Sequence, residues 1–226
     1  MTAPDAPTAV LLDIDGTLVD SNFLHVHAWV RAFDEAGHPV DAWRVHRRIG
    51  MGSGRLLAEL LGDDADRLGD EVKEAHTARY GELAGLLRPF DGARDLVRAL
   101  ADRGARVVLS TSAAPEEVET LRAVLDVDDL VQITGAADVD EAKPEPDLVH
   151  AALELAGVPA DRAVFVGDSV WDVEAAARAG VTCVGVLSGG TSEAELRDAG
   201  AAVVVEDAAA LLRDLDDIPV GALLRG

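Results

Sequence analysis

The sequence predicts an α/β fold: a Rossmann-like, doubly wound parallel sheet with a small all-helical domain inserted after the first strand. Three observations carry this. Short, valine-rich apolar runs recur at residues 9–14, 105–109, 130–134, 163–166, 181–187 and 201–205, with the length and composition of strands buried on both faces. From residue 91 onward these runs alternate with helical patterns, as parallel strands joined by helices must. Between the first run and residue 90 no strand pattern occurs, and the apolar spacing there is helical.

Residues 1–8 read as a loose Ala- and Pro-containing tail. The first run then leads into Asp13-Ile14-Asp15-Gly16. In the insert, Phe23, Val26, Val30 and Phe33 mark a helix ending near Gly37, and Leu56, Leu57, Leu60 and Leu61 mark another. Residues 64–86 suggest a third with poorer periodicity. After residue 90, Ala93, Leu96, Val97 and Leu100 repeat at helical spacing and Gly104 follows as a stop signal. Val118, Leu121, Val124 and Leu125 give the next stripe; Leu148, Ala152, Leu155 and Ala156 give another, closed by Gly157. Val173, Ala176, Ala177 and Gly180 give the last, and residues 214–226 are a weakly patterned tail. The expected division is a core of residues 1–19 and 91–226 and a helical cap of residues 20–90.

Composition narrows the function. The formal charge of −22 argues against a nucleic-acid groove and requires local cations wherever an anion binds. Only Lys73 and Lys143 are lysines. Cys183 is the sole cysteine, so neither an intrachain disulfide nor a multi-cysteine metal site can form. No apolar run approaches a membrane span, and residues 1–9 lack the basic start of a secretion signal, so a cytoplasmic protein without a membrane partner is expected. It is expected to act as a monomer or homodimer.

Ligands of an open parallel sheet bind at the carboxyl ends of its strands. Asp13 and Asp15 follow the first run, Ser110-Thr111-Ser112 the second, Lys143 lies near the third, and Gly167-Asp168-Ser169-Val170-Trp171-Asp172 follow the fourth. Asp13 and Asp168 brought together would repel, and a divalent cation would resolve that repulsion. Ligands offering only oxygen favour Mg²⁺. Asp168 and Asp172, four apart, can face one site if a helix starts between them. A carboxylate can also attack phosphorus to form an aspartyl-phosphate. Thr111 and Lys143 can hold phosphoryl oxygens, and Asp15 can pass a proton to the leaving group and later take one from water.

These four segments, in this order, resemble the motifs of the haloacid dehalogenase superfamily, over about residues 9–206. The resemblance implies Asp13 as nucleophile and Asp15 as general acid and base. It implies Mg²⁺ held by Asp13, the Asp15 carbonyl and Asp168, with Asp172 in support. Thr111 is assigned to the second motif by analogy with relatives, Ser110 being the alternative. The helical insert resembles the family's cap. The expected function is Mg²⁺-dependent hydrolysis of a small phosphorylated metabolite. A β-phosphoglucomutase-like mutase, which shares all four motifs, is the alternative, and a non-catalytic binding module on the same fold is the reading from another class. A dehalogenase disagrees with Asp15, because such relatives lack that second acid.

For the substrate, Thr111, Ser112 and Lys143 are expected to bind the phosphoryl group. Arg47, Arg48 and Gly50, in a Gly-rich stretch of the insert, are expected to bind the remainder. The alternative for the two arginines is a solvated loop. His25 and His27 are two residues apart and share no helical face, which assigns them to packing or to the cap surface. Trp29 and Cys183 read as core, and Trp171 as packing or rim.

Overall fold

The computed structural model describes residues 7–224. Strands β1 (Ala9–Leu12), β2 (Arg106–Ser110), β3 (Val131–Thr134), β4 (Ala163–Gly167), β5 (Thr182–Val186) and β6 (Val203–Val205) form one sheet in the order β3-β2-β1-β4-β5-β6. Every pairing is parallel. The expected runs all appear as strands, displaced by one or two residues at most of their ends. The chain winds from β1 to β2 and β3, then returns to β4 on the other side of β1. That reversal opens a crevice at the carboxyl ends of β1 and β4.

Helices cover both faces. Helices α5 (Ala93–Asp102), α6 (Pro115–Leu125), α10 (Ala208–Arg213) and α11 (Pro219–Leu224) pack on one; α7 (Asp147–Ala156), α8 (Val170–Arg178) and α9 (Glu193–Ala199) pack on the other. β1 shows why its sequence lacks polar alternation. Val10 and Leu12 join the first layer and Ala9 and Leu11 the second, so every side chain of the strand is buried.

Two terminal expectations need correction. Thr8 is buried, and its carbonyl accepts a hydrogen bond from Arg106 N at 2.9 Å, so it belongs to the sheet edge of β1 and not to a loose tail. Residues 1–6 of that expected tail lie outside the described residues. At the other end, Leu215, Ile218 and Val220 are buried in the first layer. Their spacing is irregular because a turn precedes the short α11, so no single helical period reveals them.

Helices α1 (Asn22–Glu35), α2 (Ala42–His46), α3 (Ser53–Leu61) and α4 (Ala65–Leu83) lie between β1 and β2 in sequence. They enclose an apolar cluster of their own, which includes Val26, Trp29, Phe33, Leu56, Leu60 and Val72. Phe23 does not join it: the side chain is 59% exposed and stacks on His46 at 5.0 Å between ring centroids. Among the described residues no helix is long and apolar enough to cross a membrane.

Candidate active site

Asp13 continues the line of β1. Its backbone N donates to Val166 O of β4 at 2.9 Å, which fixes its carboxylate at the mouth of the crevice. Asp168 follows β4 directly. Asp172 occupies the third position of α8, where its Oδ2 accepts from Ser169 N at 3.1 Å and from Ser169 Oγ at 2.6 Å. This capping box begins the helix and holds Asp172 toward the crevice. Lys143 Nζ lies 2.6 Å from Asp13 Oδ1 and 2.7 Å from Asp172 Oδ1, and it donates to Ser110 O at 3.1 Å. Asp13, Asp168, Asp172 and Lys143 are all buried.

The carboxylates of Asp13, Asp168 and Asp172 each place an oxygen within 4.8 Å of the others. With all three ionised, these buried carboxylates against one ammonium would leave two uncompensated negative charges. Burial pushes the Asp13 carboxyl well above its ordinary range; Lys143 opposes that shift, while Asp172 and Asp168 add to it. Burial, then the charge of Asp172, raises Asp168 to about 7, against hydrogen bonds from Asn22 and Thr17 and the charge of Lys143. Burial pulls Lys143 down, but Asp13 and Asp172 more than offset it and hold the ammonium form.

The donor set fits a hard divalent cation: all its ligand atoms are oxygen, and its excess charge matches one such ion. Thr17 Oγ1 at 3.0 Å and Asn22 Nδ2 at 2.9 Å orient Asp168. Gly189 makes room for it, since a Cβ there would lie 1.6 Å from Asp168 Oδ2.

Asp15 differs from its neighbours. Its Oδ1 accepts from Ser21 Oγ at 2.6 Å and lies 3.4 Å from His25 Nε2, while Thr111 Oγ1 reaches Oδ2 at 3.4 Å. Burial alone would raise its pKa, but the hydrogen bond and charge of His25, with Ser21 and Lys143, bring it below the ordinary value. The assignment of His25 to packing is thus corrected. The first turn of α1 leaves the crevice beside Asp15 and carries His25 back over it.

A cavity of about 90 Å³ lies over this group. Asp13, Asp15, Thr111 and Ser112 line it from the sheet side. Thr111 faces the cavity, whereas Ser110 is fully buried and its hydroxyl lacks a hydrogen-bond partner. Gly50 lines it from the insert, with its carbonyl 3.4 Å from Ser112 Oγ. At φ +95°, and with Ser169 Oγ 2.6 Å from where a Cβ would be, only glycine fits there.

Arg47 and Arg48 do not reach the cavity. Arg47 pairs with Glu195 of α9, and Arg48 pairs with Glu59 of α3 at 3.0 Å. Lys73 of α4 does line the cavity, and no ion pair engages Lys73 among the described residues. Trp171 packs against the apolar cluster of the insert and Cys183 is buried in the sheet.

The arrangement brings two carboxylates, Asp13 and Asp15, to one small cavity, with the Lys143 ammonium held against Asp13. Known proteins resemble the chain over most of its length. The haloacid dehalogenase-like hydrolase family matches residues 7–180. The phosphoglycolate phosphatase of Rhodospirillum rubrum is 35% identical over 91% of this chain and 89% of its own length. A hydrolase of Pseudomonas syringae, known from its crystal structure, is 36% identical and superposes with a TM-score of 0.90, covering 93% of this chain and 99% of that one. CbbY of Rhodobacter sphaeroides, solved in complex with phosphate, is 28% identical with a TM-score of 0.75 over 91% and 96% of the two chains.

Proposed function

The chain belongs to the haloacid dehalogenase-like hydrolase family, and from that premise we propose how its residues hydrolyse a phosphomonoester through an aspartyl-phosphate. Asp13 attacks phosphorus. The Asp13–phosphorus bond forms as the bond to the leaving oxygen breaks, and Asp15, ionised in the free protein but protonated once the phosphate anion is bound beside it, gives its proton to that oxygen. Asp15 then takes a proton from water as the water oxygen attacks phosphorus and the Asp13–phosphorus bond breaks, which releases inorganic phosphate and restores Asp13. Lys143, Thr111 and Ser112 hold the phosphoryl oxygens, and Lys143 opposes the effect of burial, which favours the protonated form of Asp13. Mg²⁺, held by Asp13, the Asp15 carbonyl and Asp168 with Asp172 in support, would neutralise charge as two anions approach.

The observation that carries this reading is the buried Lys143 ammonium 2.6 Å from Asp13, beside a cavity that Asp13 and Asp15 both line. Residues 20–90 serve as the cap and residues 1–19 and 91–226 as the core; the separate apolar cluster of the insert supports that division. The reading is tested by a panel of phosphorylated metabolites, phosphoglycolate among them, scored for both phosphate release and isomerised sugar phosphate. Phosphate release supports hydrolysis; isomerisation without release would make the enzyme a mutase.

Chelation of divalent cations should abolish turnover, and Mg²⁺ should restore it. Ca²⁺ should inhibit, because its larger, looser shell would also engage the Asp13 oxygen needed for attack. Full turnover with Ca²⁺ alone would contradict this assignment.

Substrate choice falls to Lys73 in place of Arg47 and Arg48, as the basic side chain that the insert presents to the cavity. Lys73→Met should lower kcat/KM for phosphoglycolate about 10- to 100-fold more than for 2-hydroxyethyl phosphate, which has the same length and a neutral end. Replacing Arg47 and Arg48 by Ala should change either substrate less than about threefold, as expected for exposed ion pairs. Equal losses in Lys73→Met on both esters would remove Lys73 from substrate recognition.

A further inference from the structure

A chain of polar groups runs from Asp15 along the wall of the cavity, and the proposed chemistry makes no use of its outer members. His25 Nε2 is 3.4 Å from Asp15 Oδ1. His25 Nδ1 is 3.2 Å from His76 Nε2, and His76 Nδ1 is 3.9 Å from Glu117 Oε1, just beyond hydrogen-bond reach. Glu117 Oε2 accepts from Ala114 N at 3.1 Å, the cap of α6. His25 and His76 are both buried. Their rings are locked from the sides as well: His25 stacks on Tyr80 at 3.9 Å and His76 on Trp29 at 3.8 Å.

The hydrogen-bond directions along the chain depend on the His76 tautomer. With Glu117 ionised, His76 carries hydrogen on Nδ1 and its Nε2 accepts from His25 Nδ1–H, so His25 donates from both nitrogens. With Glu117 protonated the order reverses: His76 Nδ1 faces the Glu117 hydroxyl, His76 Nε2–H points to His25 Nδ1, and His25 Nε2–H points to Asp15. In both arrangements His25 presents Nε2–H to Asp15 Oδ1 while His76 holds its other ring nitrogen.

We propose that His76 and Glu117 are positioning residues that hold His25 against Asp15 and so aim the general acid at the leaving oxygen. The chain starts after β1, crosses α1 and α4 of the insert and ends on α6, so it is complete only while the insert sits on the sheet. Strong desolvation keeps His76 neutral, with a pKa near 2, and raises Glu117. A neutral His76 fits either arrangement.

This rests on the phosphatase reading, and its test separates the two. Protonation by Asp15 matters for an alkyl phosphate, whose leaving oxygen is strongly basic. It matters little for p-nitrophenyl phosphate, whose leaving group is a weak base. Glu117→Gln keeps the shape and the cap to Ala114, and His76→Phe keeps the volume and the stack on Trp29. Each variant should lose about 10- to 100-fold in kcat/KM on the best alkyl phosphate of the panel, and less than about threefold on p-nitrophenyl phosphate. The double variant should lose little more than either single one, since the residues act as a unit. Equal losses on the two esters would show that the pair only supports the fold or the insert. No loss on either would also overturn the proposal. A wild-type protein that hydrolyses neither ester would overturn the phosphatase reading and this proposal with it.

Discussion

Asp13→Asn should abolish turnover and leave the fold intact. The amide nearly matches the acid in shape, so the backbone contact to Val166 and the packing around it survive. It is a poor nucleophile and a poor ligand for a hard cation, so both steps that use Asp13 fail together. Loss of a nucleophile typically costs several orders of magnitude, so residual kcat should be below about 1% of wild type. The stability change should be small, within about 1 kcal/mol. The variant gives up one contact with Lys143 but also removes one of three mutually repelling buried carboxylates. Phosphate release and a thermal melt measure the two effects separately, and residual activity above that level would remove Asp13 from the nucleophile's role.

Lys143→Met should lose activity and stability together, which distinguishes it from Asp13→Asn. Lys143 is fully buried, and its ammonium lies between Asp13 and Asp172. Methionine fills much the same volume without the charge. It leaves three carboxylates within 4.8 Å of one another and no neutralising partner from Lys143. Removing one member of a buried ion pair costs about 3–5 kcal/mol. Turnover should fall at least about a thousandfold, because the phosphoryl oxygens lose their cation and Asp13 loses the charge that opposes its protonation. Added Mg²⁺ should recover part of the lost melting temperature but not the activity, since the ion can neutralise the carboxylates without replacing the ammonium. A melting temperature unchanged from wild type would contradict the assignment of Lys143 as the internal counter-charge.

The parts legible in the sequence were those with a short-range cause. β1 and β4 announce themselves because strands buried on both faces must be apolar throughout, and Asp13 and Asp168 stand out by directly ending such runs. Lys143 stood out because lysine is scarce. What stayed hidden depends on contacts far apart in the chain. Arg47 looked available as an anion site until α9 brought Glu195 to it, and Arg48 until α3 brought Glu59. Lys73 sits in a helix of weak periodicity, and nothing local shows that its face overlooks a cavity. His25 and His76 are 51 residues apart and meet only because α1 packs on α4. Phe23 fits the apolar stripe of α1, yet it faces His46 at the seam with the sheet domain.

The central claim, that Asp13 carries the phosphoryl group, is tested most directly by trapping it. The enzyme is mixed with Mg²⁺ and a ³²P-labelled phosphomonoester, quenched in acid within one turnover, digested and mapped by mass spectrometry. The expected result is a hydroxylamine-labile phosphoryl group on the peptide containing Asp13, absent from Asp13→Asn. Label on any other residue, or the same label in Asp13→Asn, would contradict it.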